Sequence, residues 1–300
     1  MSGLVGQGIK TGPPEMKNGI GINTWVWTSP FGDDSLELVS RAQAMGFDVF
    51  EIAVEDPSRF AGDRLSEALR SSGLRPVACG AFGPSRDLTH EDSRYRRESL
   101  AYIRDVLKLC ERWNAAIFAG PMYSAVGKRR QVSADQKQKE WDLAVAGIRE
   151  AGLMAADHGV TLAIEPLNRF ETDLVNTAAQ AVRLVEEVAH PNVKVHLDTF
   201  HMMIEENSLL DAIILAGPRL VHFHACESNR GTPGTGLVPW DQVADGLRAI
   251  GYGGDLVIES FTPECVSIAA AAAIWRPLAP SQDALARDGR AFLRRLVSRI

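Results

Sequence analysis

Eight short runs of apolar and β-branched residues recur along the chain. They are GIGINTW from residue 19, DVFEIAVE from 48, RPVACGAF from 75, AAIFAGPMY from 115, then TLAIEPLN, VKVHLDTFH, RLVHFHACE and GDLVIESF around residues 165, 198, 224 and 259. Runs such as AAIFAG and LVIESF are apolar on both faces, as strands need when helices cover one side and a filled interior the other. Between the runs lie segments of helical periodicity. After the fifth run, Ala178, Val182, Val185 and Ala189 fall at i, i+4, i+7 and i+11. Thr177, with Gln180 three residues on, predicts a capping box at its start. Further helices are expected from residue 35, from about 58 to 72, from about 91 to 113, from about 134 to 158, and from 240. This alternation specifies a parallel sheet with helical crossovers, and eight units favour a closed (β/α)8 barrel. With no linker or compositional break after residue 17, residues 18–300 read as one barrel domain and residues 1–17 as a flexible leader.

Composition narrows the class. Hydrophobic residues make up 45% and charged residues 23% of the 300, which is ordinary for a globular protein. A net charge of -6 argues against a non-specific grip on phosphate backbones, so nucleic acid is not an expected partner. No segment reaches the apolar length of a membrane span, and the leader lacks a signal-peptide core, so a cytoplasmic protein is expected. Cys79, Cys110, Cys226 and Cys265 are far apart and form no CxxC pair, which favours free thiols in a reducing compartment. GxGxxG is absent, and the GxG at Gly19 and Gly21 is better explained by close packing inside the first strand. GTPGTG from residue 231 lacks the following Lys-Ser/Thr of a phosphate loop and reads as a tight loop.

Four residues close the last four runs: Glu165, Asp198, His224 and Glu259, at separations of 33, 26 and 35 residues. A repeating βα chain would bring all four to the C-terminal ends of neighbouring strands, where barrels of this kind place their active sites. Taken singly, each has a plain alternative, as helix cap, salt-bridge partner or packed imidazole. Four in consecutive apolar runs are harder to explain that way, because unpaired charges are costly to bury. Three carboxylates and one imidazole suit Mn²⁺, Mg²⁺ or Co²⁺ better than a structural zinc. A second group, Glu171, His201 and Arg230, sits in the loops that follow these strands. Asn168, Asn229 and Glu227 read as loop-shaping hydrogen-bond partners. The apolar stretch VSIAAAAAIW from residue 266 is expected to cover the site or to form a subunit contact.

NRFE (Asn168 to Glu171), LDTFHMMIEE (Leu197 to Glu206), ESNRGTPGTG (Glu227 to Gly236) followed by VPWD, and IESF (Ile258 to Phe261) together resemble the ketose 3-epimerases. These are the D-tagatose and D-allulose (psicose) 3-epimerases of the xylose isomerase-like barrel superfamily. The likeness runs from about Asn18 to the C-terminus. It implies that Glu165, Asp198, His224 and Glu259 bind one divalent metal, Mn²⁺ first, with Co²⁺ or Mg²⁺ as alternatives. It also implies that Glu165 and Glu259 flank C3 of a free ketose, one removing the proton to give a cis-enediolate and the other returning a proton on the opposite face. Glu171, His201 and Arg230 would hold the hydroxyls near C1 to C3. Trp27, Cys79 and Tyr123 are added as substrate-binding candidates, with Trp25, Ser124 and Val126 near the sugar's far end. A homodimer or homotetramer is expected. An aldose-ketose or hydroxypyruvate isomerase, or a 3-keto-sugar lyase or dehydratase, would use the same residues, so these alternatives stay open. The apurinic endonuclease branch fits less well, because it needs more His ligands and a basic face.

Overall fold

In the computed structural model, which describes residues 18–300, the eight runs are strands of one closed parallel barrel. The strands are β1 (Ile20–Asn23), β2 (Val49–Val54), β3 (Arg75–Gly80), β4 (Ile117–Gly120), β5 (Thr161–Ile164), β6 (Val193–Asp198), β7 (Leu220–His224) and β8 (Leu256–Ile258). Each pairs with its neighbours in sequence, and β1 closes the ring on β8 through Gly21 and Val257. A Cβ on Gly21 would meet the Val257 side chain at 2.8 Å and that of Val49 at 2.9 Å, so the GxG is a packing feature. The leader expected at 1–17 lies outside the described residues.

The helices around the ring are α1 (Glu37–Ala44), α2 (Arg64–Ser72), α3 (Ser93–Trp113), α4 (Ala134–Asp157), α5 (Ala178–Val188), α6 (Thr199–Glu205), α7 (Leu209–Ala216), α8 (Trp240–Ala249), α9 (Val266–Ala271) and α10 (Gln282–Val297). Both halves of the Thr177–Gln180 capping box form at the start of α5. Its last turn ends one residue before the predicted apolar stripe does. Ala189 is the C-cap in a left-handed conformation, φ 51°, and its N–H closes on the Val185 carbonyl. The helix expected from about 58 starts instead at Arg64, because Asp56 caps a separate 3-10 turn over Pro57–Arg59. Helices α6, α7, α9 and α10 are not among the predicted elements. Residues from all eight strands join the helix faces in the apolar core, and all four cysteines are buried and unpaired. Among the described residues, no helix is long and apolar enough to cross a membrane.

Candidate active site

The barrel delivers the four strand-end residues to one mouth. Asp198 and His224 are the last residues of β6 and β7, and Glu165 and Glu259 directly follow β5 and β8. All four are buried. Asp198, His224 and Glu259, together with Cys226, offer donor atoms within 4.8 Å of one another, and Glu165, Asp198 and His201 form a second such group. Asp198 belongs to both and joins them. The cap alternative is also real for one of its oxygens: Oδ1 accepts the Phe200 N–H at 2.7 Å to start α6, leaving Oδ2 for the site.

Behind His224 stands a carboxylate absent from the predicted set. Glu51, fully buried in the middle of β2, accepts from His224 Nε2 at 2.7 Å, His222 Nε2 at 2.5 Å and Asn23 Nδ2 at 2.7 Å. Nε2 therefore carries the hydrogen, and Nδ1 is turned toward the Glu259 and Asp198 carboxylates at 3.6 and 4.0 Å with no hydrogen-bond partner. A buried, unpartnered imidazole nitrogen facing two carboxylates is what a metal ligand looks like when its outer hydrogen bond fixes the ring. The donor set fits a hard divalent cation. His196, likewise buried, has no partner on either ring nitrogen, and its Nδ1 lies 3.6 Å from Glu165 Oε2.

Arg230 lies over these carboxylates. Its backbone is left-handed, φ 62°. Nη1 donates to Asp198 Oδ2 and Glu259 Oε2, each at 2.7 Å, while Nη2 is 3.2 Å from His201 Nε2. The guanidinium stacks over Phe200 at 4.0 Å and Phe261 at 4.9 Å, which holds it in place. His201 is oriented from the other side by the Asn168 backbone N–H at 3.1 Å, and Asn168 Nδ2 donates to Glu171 at 2.9 Å.

Burial sets the electrostatics. It raises the Glu165 carboxyl well above the usual range, and the neighbouring Glu259 charge adds to the effect. Burial raises Asp198 too, with Arg230 opposing. For Glu259 the desolvation cost is outweighed by His224 and Arg230, and its pKa falls below the ordinary value. Burial works against charge on His224, yet Glu51 and Glu259 hold its pKa well above the ordinary value. A divalent cation would take the place of that proton.

Above these groups opens a cavity of about 290 Å³. Glu165, Glu171, His201, Arg230, Glu259 and Cys79 line it, whereas Asp198 and His224 lie beneath its surface. Trp27 and Tyr123 do not reach it. Trp27 directs its Nε1 to Asp283 at 3.1 Å, and the Tyr123 hydroxyl donates to the Val175 carbonyl at 3.1 Å inside the core. Trp25 takes the wall position instead, and α9, from the apolar stretch after residue 266, lines the cavity through Ile268 and Ala271. Glu227 shapes the loop after β7 by accepting the backbone N–H groups of Ser228, Gly234 and Val238.

Residues 39–296 match the family model described as xylose isomerase-like TIM barrel. A D-psicose 3-epimerase of Agrobacterium fabrum is 35% identical over 278 residues, covering 91% of this chain and 94% of the relative. A ketose 3-epimerase of Arthrobacter globiformis is 31% identical, covering 92% and 95%. Among solved structures, a D-allulose 3-epimerase from Methylomonas sp. superposes with a TM-score of 0.89 at 28% identity, covering 94% of this chain and 98% of that one. A D-psicose 3-epimerase from Clostridium cellulolyticum H10 with D-tagatose gives 0.85 at 30% identity, covering 93% and 99%. Barrel and relatives agree: the chain belongs to the xylose isomerase-like TIM barrel family and, within it, to the ketose 3-epimerases.

Proposed function

We propose that the protein inverts C3 of a free ketose of the D-tagatose, D-fructose or D-allulose type. The observation that carries this reading is the pair Glu165 and Glu259, two buried carboxylates that directly follow β5 and β8 and both line the cavity at one barrel mouth. Removing a proton on one face of a carbon and returning one on the other calls for such a pair. An ionised glutamate takes the C3 proton on its carboxylate oxygen, the electrons left behind spread over C2 and C3 as an enediolate, and the opposite glutamate returns a proton. Held by Glu165, Asp198, His224 and Glu259, a divalent metal, Mn²⁺ with Co²⁺ or Mg²⁺ as substitutes, would supply Lewis-acid withdrawal of electrons from the ketone and its neighbouring hydroxyl. Arg230, Glu171 and His201 face the same cavity and would hold the hydroxyls near C1 to C3.

Buried free thiols support a cytoplasmic setting, and exposed Leu237, Val266 and Trp275 offer apolar surface to a second copy in a homodimer or homotetramer. The test is incubation of D-fructose, D-tagatose and L-ribulose with the Mn²⁺-loaded protein in D₂O. The reading expects deuterium at C3 and the C3 epimer as product. Deuterium confined to C1 or C2 would make the protein an isomerase instead.

A further inference from the structure

Cys226 is a buried thiol that the proposed reaction does not use, yet it stands among the metal ligands. Its Sγ and donor atoms of Asp198, His224 and Glu259 all lie within 4.8 Å of one another, whereas Glu165 groups with Asp198 and His201. One atom marks the common point. Arg230 Nη1 lies 2.7 Å from Asp198 Oδ2, 2.7 Å from Glu259 Oε2 and 3.1 Å from Cys226 Sγ, so a cationic group already sits where two carboxylates and a sulfur converge. The unpartnered His224 Nδ1 is turned toward the same two carboxylates at 3.6 and 4.0 Å. Ligand atoms bonded to one tetrahedral ion stand roughly 3.3–3.8 Å apart, so small adjustments close this set around a cation.

The sulfur is held in place. Thr199 Oγ1 grips the Cys226 backbone twice, accepting its N–H at 2.8 Å and donating to its carbonyl at 2.5 Å. The S–H donates to the Glu259 carbonyl at 3.0 Å, which leaves the sulfur lone pairs facing Arg230 Nη1. Thiolate is a soft donor that suits zinc and cadmium, whereas Mn²⁺ and Mg²⁺ favour oxygen.

We infer that Cys226 gives the barrel mouth a second, overlapping donor set, Asp198, His224, Cys226 and Glu259, which captures thiophilic divalent cations such as Zn²⁺ and Cd²⁺ in competition with the hard ion. The Cys226 proton leaves to solvent as the sulfur–metal bond forms, and the Arg230 guanidinium withdraws. An ion held this way leaves Glu165 uncoordinated, so thiophilic ions inhibit the proposed reaction instead of replacing Mn²⁺ in it. The inference rests on the assignment of Asp198, His224 and Glu259 to the metal in the reading above.

The test titrates the metal-free protein with Cd²⁺ and follows thiolate-to-metal charge-transfer absorption in the ultraviolet, with Cd²⁺ and Mn²⁺ dissociation constants measured by calorimetry. It is run on the wild type, Cys226→Ser, Cys226→Ala and, because Cys79 lies near His224, Cys79→Ser. The expected result is a band that saturates at a single equivalent in the wild type and in Cys79→Ser and is lost in both Cys226 variants. The ratio of the Mn²⁺ to the Cd²⁺ dissociation constant should fall in those two variants by at least about tenfold, since even an outer-sphere partner is worth that much. Taking the ratio within each variant cancels any general loosening of the site. The cadmium NMR resonance of the wild type reads the donor set with no substitution at Cys226, and a position downfield of oxygen-and-nitrogen sites is expected. A wild type that binds Mn²⁺ but shows no band, or a band that survives in either Cys226 variant, overturns the inference and leaves the metal reading intact. Binding of both ions that is unchanged in His224→Ala overturns both.

Discussion

Glu51 and His224 are 173 residues apart in sequence and joined by a 2.7 Å hydrogen bond that leaves the His224 Nδ1 free to face the site. Outer-sphere carboxylates of this kind fix ring orientation and raise ligand basicity. Glu51→Gln should therefore weaken Mn²⁺ binding by about 10- to 100-fold while keeping the barrel. Calorimetric titration of the metal-free protein, with circular dichroism as the fold control, checks this. An unchanged dissociation constant would show that the hydrogen bond does not serve the metal.

Glu165→Gln and Glu259→Gln should each slow C3 exchange by at least about 10², the usual contribution of a positioned acid or base. Both residues are also assigned to the metal, so the assay needs Mn²⁺ occupancy measured alongside. Loss of exchange at full occupancy identifies the proton carriers. Wild-type exchange in either variant would remove that glutamate from the mechanism.

Chelation should lower the melting temperature, and Mn²⁺ should restore it, because a ligand that binds only the folded state stabilises it by about 2.7 kcal/mol at a hundredfold excess over its dissociation constant. In His224→Ala the shift should shrink or vanish. A full shift in that variant would place the metal elsewhere.

The loops around the cavity are braced by a buried ion-pair network. Glu140 accepts from Arg130 at 2.7 Å and Gln136 at 3.0 Å, and Lys128 joins Asp87 at 2.8 Å. Burial pushes the Glu140 carboxyl up, but Arg130, Gln136 and Lys128 outweigh it and leave the pKa below the ordinary value. A carboxyl depressed in the folded state contributes stability that is complete above the unfolded pKa, about 4.3, and is lost as pH falls through the folded value. Glu140→Gln should cost about 1–3 kcal/mol at pH 7 and flatten the decline in stability below about pH 5. Urea unfolding across that range gives both numbers.

The eight strands are legible because each is a short apolar run bounded by turn residues, and the Thr177–Gln180 box marks the start of α5 directly. Helix α6 is hidden because it begins at once from the strand, with Asp198 ending β6 and capping the next element. Helix α7 spans only eight residues, LLDAIILA, and is apolar nearly all round, so no polar face shows its period. The strand-end residues are legible from spacing. Glu51 is not: its only sign is one charge inside VFEIAV, and its histidine partners are more than 170 positions away. Trp27 misleads because the chain leaves β1 through a 3-10 turn over Thr24–Val26, which breaks the strand alternation that would have aimed the ring inward. Tyr123 is a similar case, drawn into the core by the Val175 carbonyl.

Diffraction from Mn²⁺-loaded crystals at the manganese absorption edge tests the central claim most directly, namely that four successive strand ends hold one cation. The account predicts a single anomalous peak within bonding distance of Glu165, Asp198, His224 Nδ1 and Glu259, with Arg230 drawn away from Asp198 Oδ2. A peak bound by other residues, or one that leaves Glu165 or Glu259 uncoordinated, would contradict it.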